Sequence, residues 1–171
     1  ERKRLEQELE HLSQVDSLTG AMTRRAFDQR LAEEIERARR LDHPLTLLIA
    51  DLDHFKQVND TRGHHAGDMA LRGFVAVCRQ EFRKYDLVGR LGGEEFALLL
   101  PDTGFDVALV AAERLRAAVT RSPIDPGVPG QTFHITVSIG VAQLRPADDA
   151  TPFIQRADQA LYAAKAAGRN A

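Results

Sequence analysis

Apolar positions follow two different periods along this chain. Leu45–Leu52 is almost continuously apolar, which is typical of a central strand covered on both faces. From 133 to 142 the apolar residues occupy every second position, which predicts a half-buried strand. In the stretches 27–41, 71–82 and 105–119 they recur every three or four positions, which predicts helices.

Local signals suggest where several elements begin and turn. Thr23 and Thr103 are the expected helix caps, and a last helix is expected between Thr151 and Gly168. The glycine pair at 92 and 93 lies between two apolar runs and predicts a two-residue hairpin with both glycines at positive φ. Glu94 and Glu95 would then begin the returning strand, with their side chains on opposite faces.

The order of these elements favours one fold class. Helix, strand, helices, hairpin, helix, strand and helix follow one another, and the hairpin interrupts the alternation that a doubly wound parallel sheet would need. We therefore expect an α+β fold with a mixed, mainly antiparallel central sheet and surrounding helices. The 171 residues suffice for one domain with a sizeable core.

Residues 1–14 are mostly charged, and a narrow apolar seam is formed by Leu5, Leu9, Leu12 and Val15. This pattern predicts an N-terminal helical stalk, either as a short two-stranded coiled coil or as a solvated helix docked on its own domain. We expect a signalling helix or linker at 1–15 and a single domain at 16–171. Because the chain starts with Glu1, we also expect it to be a fragment of a longer protein.

Composition narrows the classes of partner. The formal net charge of -2 gives no strong field for nucleic acid or an anionic membrane, so neither is expected as a partner. The single cysteine, Cys78, excludes an internal disulfide and fits a buried structural thiol. No apolar run reaches the length of a membrane span. We expect a cytoplasmic domain, with the cytosolic output domain of a larger, membrane-bound sensor as an open alternative.

Acidic residues mark two strand ends. Asp51 ends the first apolar strand and Glu94 follows the glycine pair, so the two carboxylates converge if these segments are neighbours in the sheet. Two close carboxylates need a neutralising cation, and oxygen ligands with phosphates favour Mg²⁺ and a nucleoside triphosphate. Asp53, which we place on the opposite strand face, ranks below Asp51. Zinc at His54, His64 and His65 ranks lower still, because their spacing is poor for that ion.

Several blocks in a fixed order carry a resemblance to a known family. RLGGEEF at 90–96 resembles the signature of the GGDEF domain family, the diguanylate cyclases, in its GGEEF spelling. The other blocks are DSLTG at 16–20, DLDHFKQVND at 51–60, GHHAGD at 63–68, SIGVA at 138–142 and ADQALYAAKAAGRN at 157–170. The resemblance implies a sheet like the palm of polymerases and nucleotidyl cyclases.

The resemblance also implies an activity. It is the condensation of two GTP into cyclic di-GMP and two pyrophosphates, with Mg²⁺ (or Mn²⁺) as cofactor and a homodimer that brings two half-sites together. The implied metal ligands are Asp51, the Leu52 carbonyl and Glu94. The implied catalytic turn consists of Gly92, Gly93, Glu94 and Glu95.

Substrate contacts carry over in the same way. The resemblance implies that the triphosphate is bound by Lys56, the backbone around His54 and Phe55, Lys165 and Arg169. Lys165 and Arg169 lie one turn apart near the expected helix end, so interaction with the helix C-terminus is their alternative role. The guanine readers are Asn59 and Asp68, and the apolar walls are Leu18 and Leu71.

Arg83 and Asp86 have the form of the family's RxxD inhibitory site for the product, with Arg114 as a secondary contact. The alternative is a local Arg83–Asp86 salt bridge. An upstream sensor or receiver domain is the implied partner outside this fragment.

The first block departs from the family spelling at residues 21–23, none of which is an expected ligand. A rival function is a catalytically silent module that binds GTP or cyclic di-GMP and regulates a partner. A nucleotidyl cyclase with another base preference is a more distant one. Because the glycine-acid turn and Asp51 are both present, the sequence favours the enzyme.

Overall fold

The computed structural model describes the backbone of residues 1–171 and all side chains except those of residues 10 and 11. The described chain forms six helices and four strands. In chain order they are α1 (Arg2–Leu12), α2 (Arg24–Leu41), β1 (Leu45–Leu52), α3 (Phe55–Arg62), α4 (His64–Glu81), β2 (Leu87–Gly92), β3 (Glu95–Pro101), α5 (Phe105–Arg121), β4 (Val137–Gln143) and α6 (Ala150–Ala166).

The four strands form one sheet in the order β2-β3-β1-β4, and each neighbouring pair is antiparallel. An isolated parallel bridge adds Met22 to the outer side of β2, where its amide donates to Val88 and its carbonyl accepts from Arg90. On the outer side of β4, the Ile139 amide donates to the Ala171 carbonyl at 2.7 Å. The expected α+β class with a mainly antiparallel sheet is therefore confirmed.

Two hydrophobic clusters cover the two faces of the sheet. Along β1, Leu45, Leu47 and Ile49 face one cluster with residues of α2 and α6. Leu48, Ala50 and Leu52 face the other cluster with residues of α4 and α5. Successive strand residues point to opposite faces, so Asp51 projects to the α2/α6 side and Leu52 to the α4/α5 side.

A close approach fixes α6 against β4. A Cβ on Gly140 would lie 2.2 Å from the Ala157 carbonyl oxygen and 2.3 Å from the Leu161 amide nitrogen, so only glycine fits there. The helix backbone therefore lies directly on the strand. This contact determines where the last turn of α6, with Lys165, lies relative to the sheet.

Helix starts agree with the sequence in one case and not in another. Thr23 caps α2 as predicted, since its side chain accepts a hydrogen bond from the Ala26 amide at 3.3 Å. The prediction for Thr103 is wrong, because α5 begins at Phe105 with Gly104 as its cap. The Thr103 hydroxyl is instead buried and donates to the Pro101 carbonyl at 2.9 Å.

The last strand is shorter than expected. It begins at Val137 rather than Phe133, because Phe133 exchanges backbone hydrogen bonds with Ile124 in the preceding loop. The carbonyl of Thr136 accepts a hydrogen bond from the Asp53 amide at 2.9 Å. Residues 133–136, which the sequence analysis placed in the strand, thus connect the loop to the end of β1.

The apolar seam of α1 is exposed. Leu5, Leu9 and Leu12 keep 54%, 65% and 79% of their surface accessible. The carbonyl of Gln14, just after this helix, accepts a hydrogen bond from the Thr23 amide at 3.0 Å. A coiled coil through this seam remains a prediction. None of the described helices has the length and apolarity needed to cross a bilayer.

Cys78 is fully buried in the α4/α5 cluster, as expected. This burial raises the pKa of its thiol far above the usual value. The thiol therefore behaves as a core group rather than a nucleophile.

Candidate active site

The ends of β1 and β3 bring two acidic residues directly opposite each other. Asp51 pairs with Glu95 in the antiparallel ladder, so both side chains project to the α2/α6 side of the sheet. The Leu52 amide donates to the Glu94 carbonyl at 3.2 Å. The strand end at 51–52 and the hairpin at 94–95 are thus neighbours, which is the condition that the sequence analysis set for acidic residues to converge there.

The hairpin turn lies one residue later than expected. Gly92 pairs with Glu95, so the two turn residues are Gly93 and Glu94, and Glu94 is not on the returning strand. The cause is a bulge between Arg90 and Gly92, which leaves Leu91 as an extra residue. Both glycines have positive φ as predicted, with values of 155° and 47°.

The side chain of Arg90 holds this turn by hydrogen bonds. Its guanidinium donates to the Gly93 carbonyl at 3.1 and 2.9 Å and lies 3.3 Å from a carboxylate oxygen of Asp16. Asp16 also accepts from the amide and hydroxyl of Thr19, at 3.0 and 2.6 Å. Partial burial tends to raise the pKa of Asp16, but these hydrogen bonds and Arg90 outweigh it, so the pKa is lowered. Sequence reasoning missed this role, although Asp16 and Thr19 show the spacing of a side-chain turn.

Lys165 reaches the same strand end from α6. Its Nζ lies 2.6 Å from Oδ2 of Asp51, whose side chain is only 12% exposed. An ammonium at this position neutralises a carboxylate that would otherwise be costly to bury. The cation and the expected metal ligand are therefore in direct contact.

Glu95 is partly buried among charged groups of both signs. Burial raises the pKa of Glu95, and repulsion from Asp158 and Asp51 raises it further, whereas Lys165 and Arg24 lower it. Burial also raises the pKa of Asp158, against an opposing effect of Arg24. Sequence reasoning did not single out Asp158 or Arg24, because only the packing of α2 and α6 brings them near the hairpin.

The expectation that Asp53 lies on the opposite strand face from Asp51 is wrong. Asp53 is two residues from Asp51, and a strand period of two places both on the same side. Accordingly, Asp53 bonds to the hydroxyl of Ser138, the residue that pairs with Asp51. Its carboxylate is buried and already accepts several hydrogen bonds.

The start of α3 offers backbone donors beside the strand end. The described N-cap residue, His54, has φ 55° and ψ 32°, and its side chain makes no capping hydrogen bond. The first amides of this helix, including those of Phe55 and Lys56, have no partner within the helix and can donate to an anion. Lys56 is exposed on the same turn.

Asn59 and Asp68 lie near each other on neighbouring helices. A Cβ on Gly67 would lie 1.9 Å from Oδ1 of Asn59, so this glycine lets the α3 side chain contact the α4 backbone. Asp68 follows directly and is half-buried. Leu18 packs against the cluster that contains the buried Leu71. The Asn59 side chain thus reaches the α4 backbone directly before Asp68, and Leu18 and Leu71 belong to the same hydrophobic cluster.

The Leu18 segment is held by α4. Arg72 donates through Nε to the Leu18 carbonyl at 2.9 Å, and Arg79 donates through Nη2 to the Gly20 carbonyl at 2.7 Å. Neither arginine was expected to have this role, because the contacts span more than fifty residues of chain. Both hold the loop that carries one wall of the expected guanine site.

Arg169 is not on α6. The helix ends at Ala166, and Arg169 follows with φ 66° in the left-handed region. The expectation that Lys165 and Arg169 lie one turn apart near the end of the last helix is therefore wrong. Gly168, with φ 115°, redirects the chain before Arg169 is reached.

Arg83 and Asp86 contact each other directly. Arg83 donates to both carboxylate oxygens, at 3.2 and 3.1 Å, and also to the Thr103 hydroxyl at 2.7 Å. Hydrogen bonding to Asp86 raises the pKa of Arg83. Arg114 donates to Glu81 through Nε at 3.0 Å. The local salt bridge, which the sequence offered as the alternative, is present in this structure.

The donor set at the end of β1 is chemically suited to Mg²⁺. Asp51, Glu94 and the Leu52 carbonyl offer only oxygen, and Mg²⁺ typically takes one or two carboxylates with water and phosphate oxygens. The Lys165 ammonium on Asp51 indicates that this carboxylate attracts positive charge. Among the residues with described side chains, no group of three or more His, Cys, Asp or Glu is placed to hold a metal.

Comparison with known proteins places this geometry in a family. Residues 13–171 match the family model described as "Diguanylate cyclase, GGDEF domain". The chain is 40% identical over 156 residues to the diguanylate cyclase DgcP of Pseudomonas aeruginosa, covering 91% of this chain and 23% of that protein. It spans between 23% and 43% of the length of the first curated relatives that it matches.

Solved structures agree. The GGDEF domain of DgcB from Caulobacter crescentus, crystallised with c-di-GMP, superposes with a TM-score of 0.88 at 34% identity, covering 92% of this chain and 93% of that one. A longer DgcB structure with the coiled coil and GGDEF domain gives a TM-score of 0.86 at 32% identity, covering 98% and 90%. Fold, motifs and sequence thus give the same answer: the chain belongs to the GGDEF domain family, as its sequence motifs indicated.

Proposed function

We propose that this chain is a diguanylate cyclase domain, which condenses two GTP into cyclic di-GMP with release of two pyrophosphates. The observation that carries this proposal is that Asp51, Glu95 and Lys165 converge at one end of the inner strands, beside the turn that contains Glu94. Membership of the GGDEF family supports the choice of nucleotide.

The chemistry requires two phosphoryl transfers. Each ribose 3′-oxygen forms a bond to the α-phosphorus of the other GTP, while the bond from that phosphorus to the pyrophosphate oxygen breaks. The 3′-hydroxyl proton must be accepted, and Glu95 is a candidate because it shares the sheet face of Asp51. Mg²⁺, or Mn²⁺, held by Asp51, Glu94 and the Leu52 carbonyl would supply charge neutralisation at the phosphates.

The triphosphate would lie between the start of α3 and the end of α6. Amides at His54 and Phe55 and the side chain of Lys56 provide donors on one side. Lys165 and Arg169 provide positive charge on the other. Lys165 also neutralises Asp51. We propose that the substrate's phosphates and its divalent cation take over this charge balance.

The guanine base would lie between α3 and α4. Asn59 offers both a donor and an acceptor, and Asp68 can accept from the guanine N1 and N2 hydrogens. Leu18 and Leu71 would form the apolar walls. An adenine in this position would leave buried polar groups unpaired, which disfavours ATP.

One chain provides one half-site, so two protomers must face each other for the reaction. The exposed apolar seam of α1 supports pairing through a coiled coil, which would raise the local concentration of the partner domain. The related DgcB was solved with a coiled coil joined to its GGDEF domain. An upstream sensor or receiver domain would act through the same helix.

Product inhibition would act at Arg83, Asp86 and Arg114. Arginine forks suit guanine edges and phosphates, and the side chain of Arg83 is 46% exposed. To bind cyclic di-GMP, Arg83 would exchange part of its contact with Asp86 and Thr103, and Arg114 would release Glu81. Titration calorimetry on the wild-type protein and on Arg83→Ala tests this site, and equal affinities would contradict it.

The enzyme is tested by incubating the domain with GTP or ATP and Mg²⁺ and identifying products by mass. We expect cyclic di-GMP from GTP and none from Glu94→Ala, whereas Glu33→Ala, on the exposed face of α2, should match the wild type. GTP binding without product would instead identify a silent regulatory module. A cyclic product from ATP would contradict the guanine assignment.

A further inference from the structure

The carboxylate of Asp53 is a junction between three parts of the chain. Its Oδ2 accepts from the Thr136 hydroxyl at 2.7 Å and from the Asn170 amide at 3.0 Å. Its Oδ1 accepts from the Ser138 hydroxyl at 2.7 Å. Asp53 is only 5% exposed. A buried carboxylate with three donors is strongly held, so Asp53 joins the end of β1 to β4 and to the segment after α6.

That segment has an unusual backbone. Gly168, Arg169 and Asn170 all have positive φ, at 115°, 66° and 48°. Residues other than glycine adopt this region at a cost and keep it only where surrounding contacts stabilise it. Contacts of this kind are present on α5, where Arg116 and Thr120 donate to Oδ1 of Asn170 at 2.9 and 3.3 Å.

Two further backbone contacts complete the attachment. The Arg169 amide donates to the Ala164 carbonyl at 3.1 Å, and the Ile139 amide donates to the Ala171 carbonyl at 2.7 Å. The backbone is therefore held before the Arg169 Cα by the amide of Arg169 and after it by the amide of Asn170. The side chain of Arg169, in contrast, is exposed to solvent. The backbone of Arg169 is therefore fixed, and its exposed guanidinium is accessible to an anion.

The same strand end also holds α6 itself. Asp51 bonds to Lys165 on the last turn of the helix, and Asp53 bonds to Asn170 after it. The proposed metal ligand and the junction residue are two positions apart on one rigid strand end. The last turn of α6 and the backbone that follows it are thereby both attached to the end of β1.

We infer that Asp53 is a positioning residue, which sets Arg169 at the triphosphate by fixing the left-handed segment 168–170 to the end of β1. The inference rests on the proposed function, in which Arg169 binds phosphate. Asp53 itself contacts neither substrate nor metal. Its removal should weaken the recognition of phosphate and leave that of the base intact.

The first test compares nucleotide affinities. We expect Asp53→Ala to weaken GTP binding about tenfold while guanosine binding stays unchanged. Asp53→Asn should recover most of the loss, because its amide oxygen can still accept from the Asn170 amide while its NH₂ donates to Ser138. Asp148→Ala is a matched control: this carboxylate is also 5% exposed and has several donors, but it binds Arg156 near the start of α6.

The second test asks whether Asp53 acts through Arg169. In a double-mutant cycle, Arg169→Ala should weaken GTP binding in the wild-type background and have little further effect in Asp53→Ala. Hydrogen exchange without nucleotide gives an independent readout, and the Asn170 amide should exchange at least about tenfold faster in Asp53→Ala.

The outcomes separate the inference from the proposed function. Additive losses in the cycle, or unchanged exchange at Asn170, would overturn the role of Asp53 even if the domain makes cyclic di-GMP. An equal loss of guanosine binding in Asp53→Ala would also overturn it. Wild-type protein that bound no GTP would overturn both, whereas a GTP affinity that did not depend on Arg169 would overturn the inference alone.

Discussion

Lys165 and Asp51 form an ion pair at 2.6 Å between the end of the last helix and the end of the first strand, 114 residues apart in the chain. The pair is partly buried, with 34% and 12% of the two side chains exposed. It places a cation and a carboxylate at the end of β1, where we propose that the chemistry occurs. Removing either partner therefore has consequences for both binding and stability.

We expect Lys165→Met to raise the KM for GTP at least about tenfold, because the triphosphate loses a cation. The unpaired Asp51 should also lower the free energy of unfolding, by roughly 1 kcal/mol given the partial exposure of the pair. Steady-state kinetics and urea unfolding measure the two effects. Lys165→Arg should restore stability better than Met, and a KM equal to that of wild type in the Met variant would contradict the phosphate role.

Gly140→Ala should displace α6 from the sheet, because the new methyl group would meet the helix backbone at Ala157 and Leu161. Overpacking of this kind costs roughly 1–3 kcal/mol of unfolding free energy. GTP affinity should fall with it, since Lys165 is on the same helix. The control is Gly104→Ala, whose Cβ would meet its nearest neighbour only at 3.9 Å. If both variants were equally stable in urea, α6 would be able to shift and accommodate the methyl group, which would contradict the prediction.

Arg90→Met should release the Gly93 carbonyl and loosen the turn that carries Glu94. We expect kcat to fall about tenfold, with a smaller change in KM, if the turn must be held for the reaction. Asp16→Asn should weaken the ion pair that holds the Arg90 guanidinium at the turn. In a double-mutant cycle on kcat the two substitutions should be less than additive. Full additivity would mean that Arg90 acts on the turn without Asp16.

Stability should depend on pH through Asp148. Hydrogen bonds from Arg156 lower the pKa of this buried carboxyl below its usual 3.8. A lowered folded pKa gives stability that is fully present above about pH 4 and is lost as pH falls through the folded value. The difference in unfolding free energy between wild type and Asp148→Asn should therefore be constant near neutral pH and shrink in acid. A difference that grew in acid would have the wrong sign for this explanation.

The sequence predicted best those features that depend on nearby residues. The apolar run of β1 and the Thr23 cap each depend on a few neighbours, and both were predicted correctly. The hairpin was displaced by one residue, because the bulge at Leu91 depends on the pairing of two strands. Thr103 looked like a cap, but its hydroxyl is used by Pro101 and Arg83.

The site shows the same limit. Motif order predicted roles for Asp51 and Glu94, because the resemblance carries residue roles without geometry. The junction at Asp53 depends on partners that follow it by 83 to 117 residues, and no local pattern marks them. The left-handed backbone at Arg169 likewise depends on hydrogen bonds to distant strands and helices. Such roles require the folded structure.

Short pieces of main chain lie along both outer strands of the sheet. Met22 occupies part of the free side of β2, and Ala171 occupies part of the free side of β4. Exposed strand sides are templates on which other chains can add, and covering them limits such addition. These two contacts thereby discourage copies of this chain from joining sheet to sheet through β2 or β4.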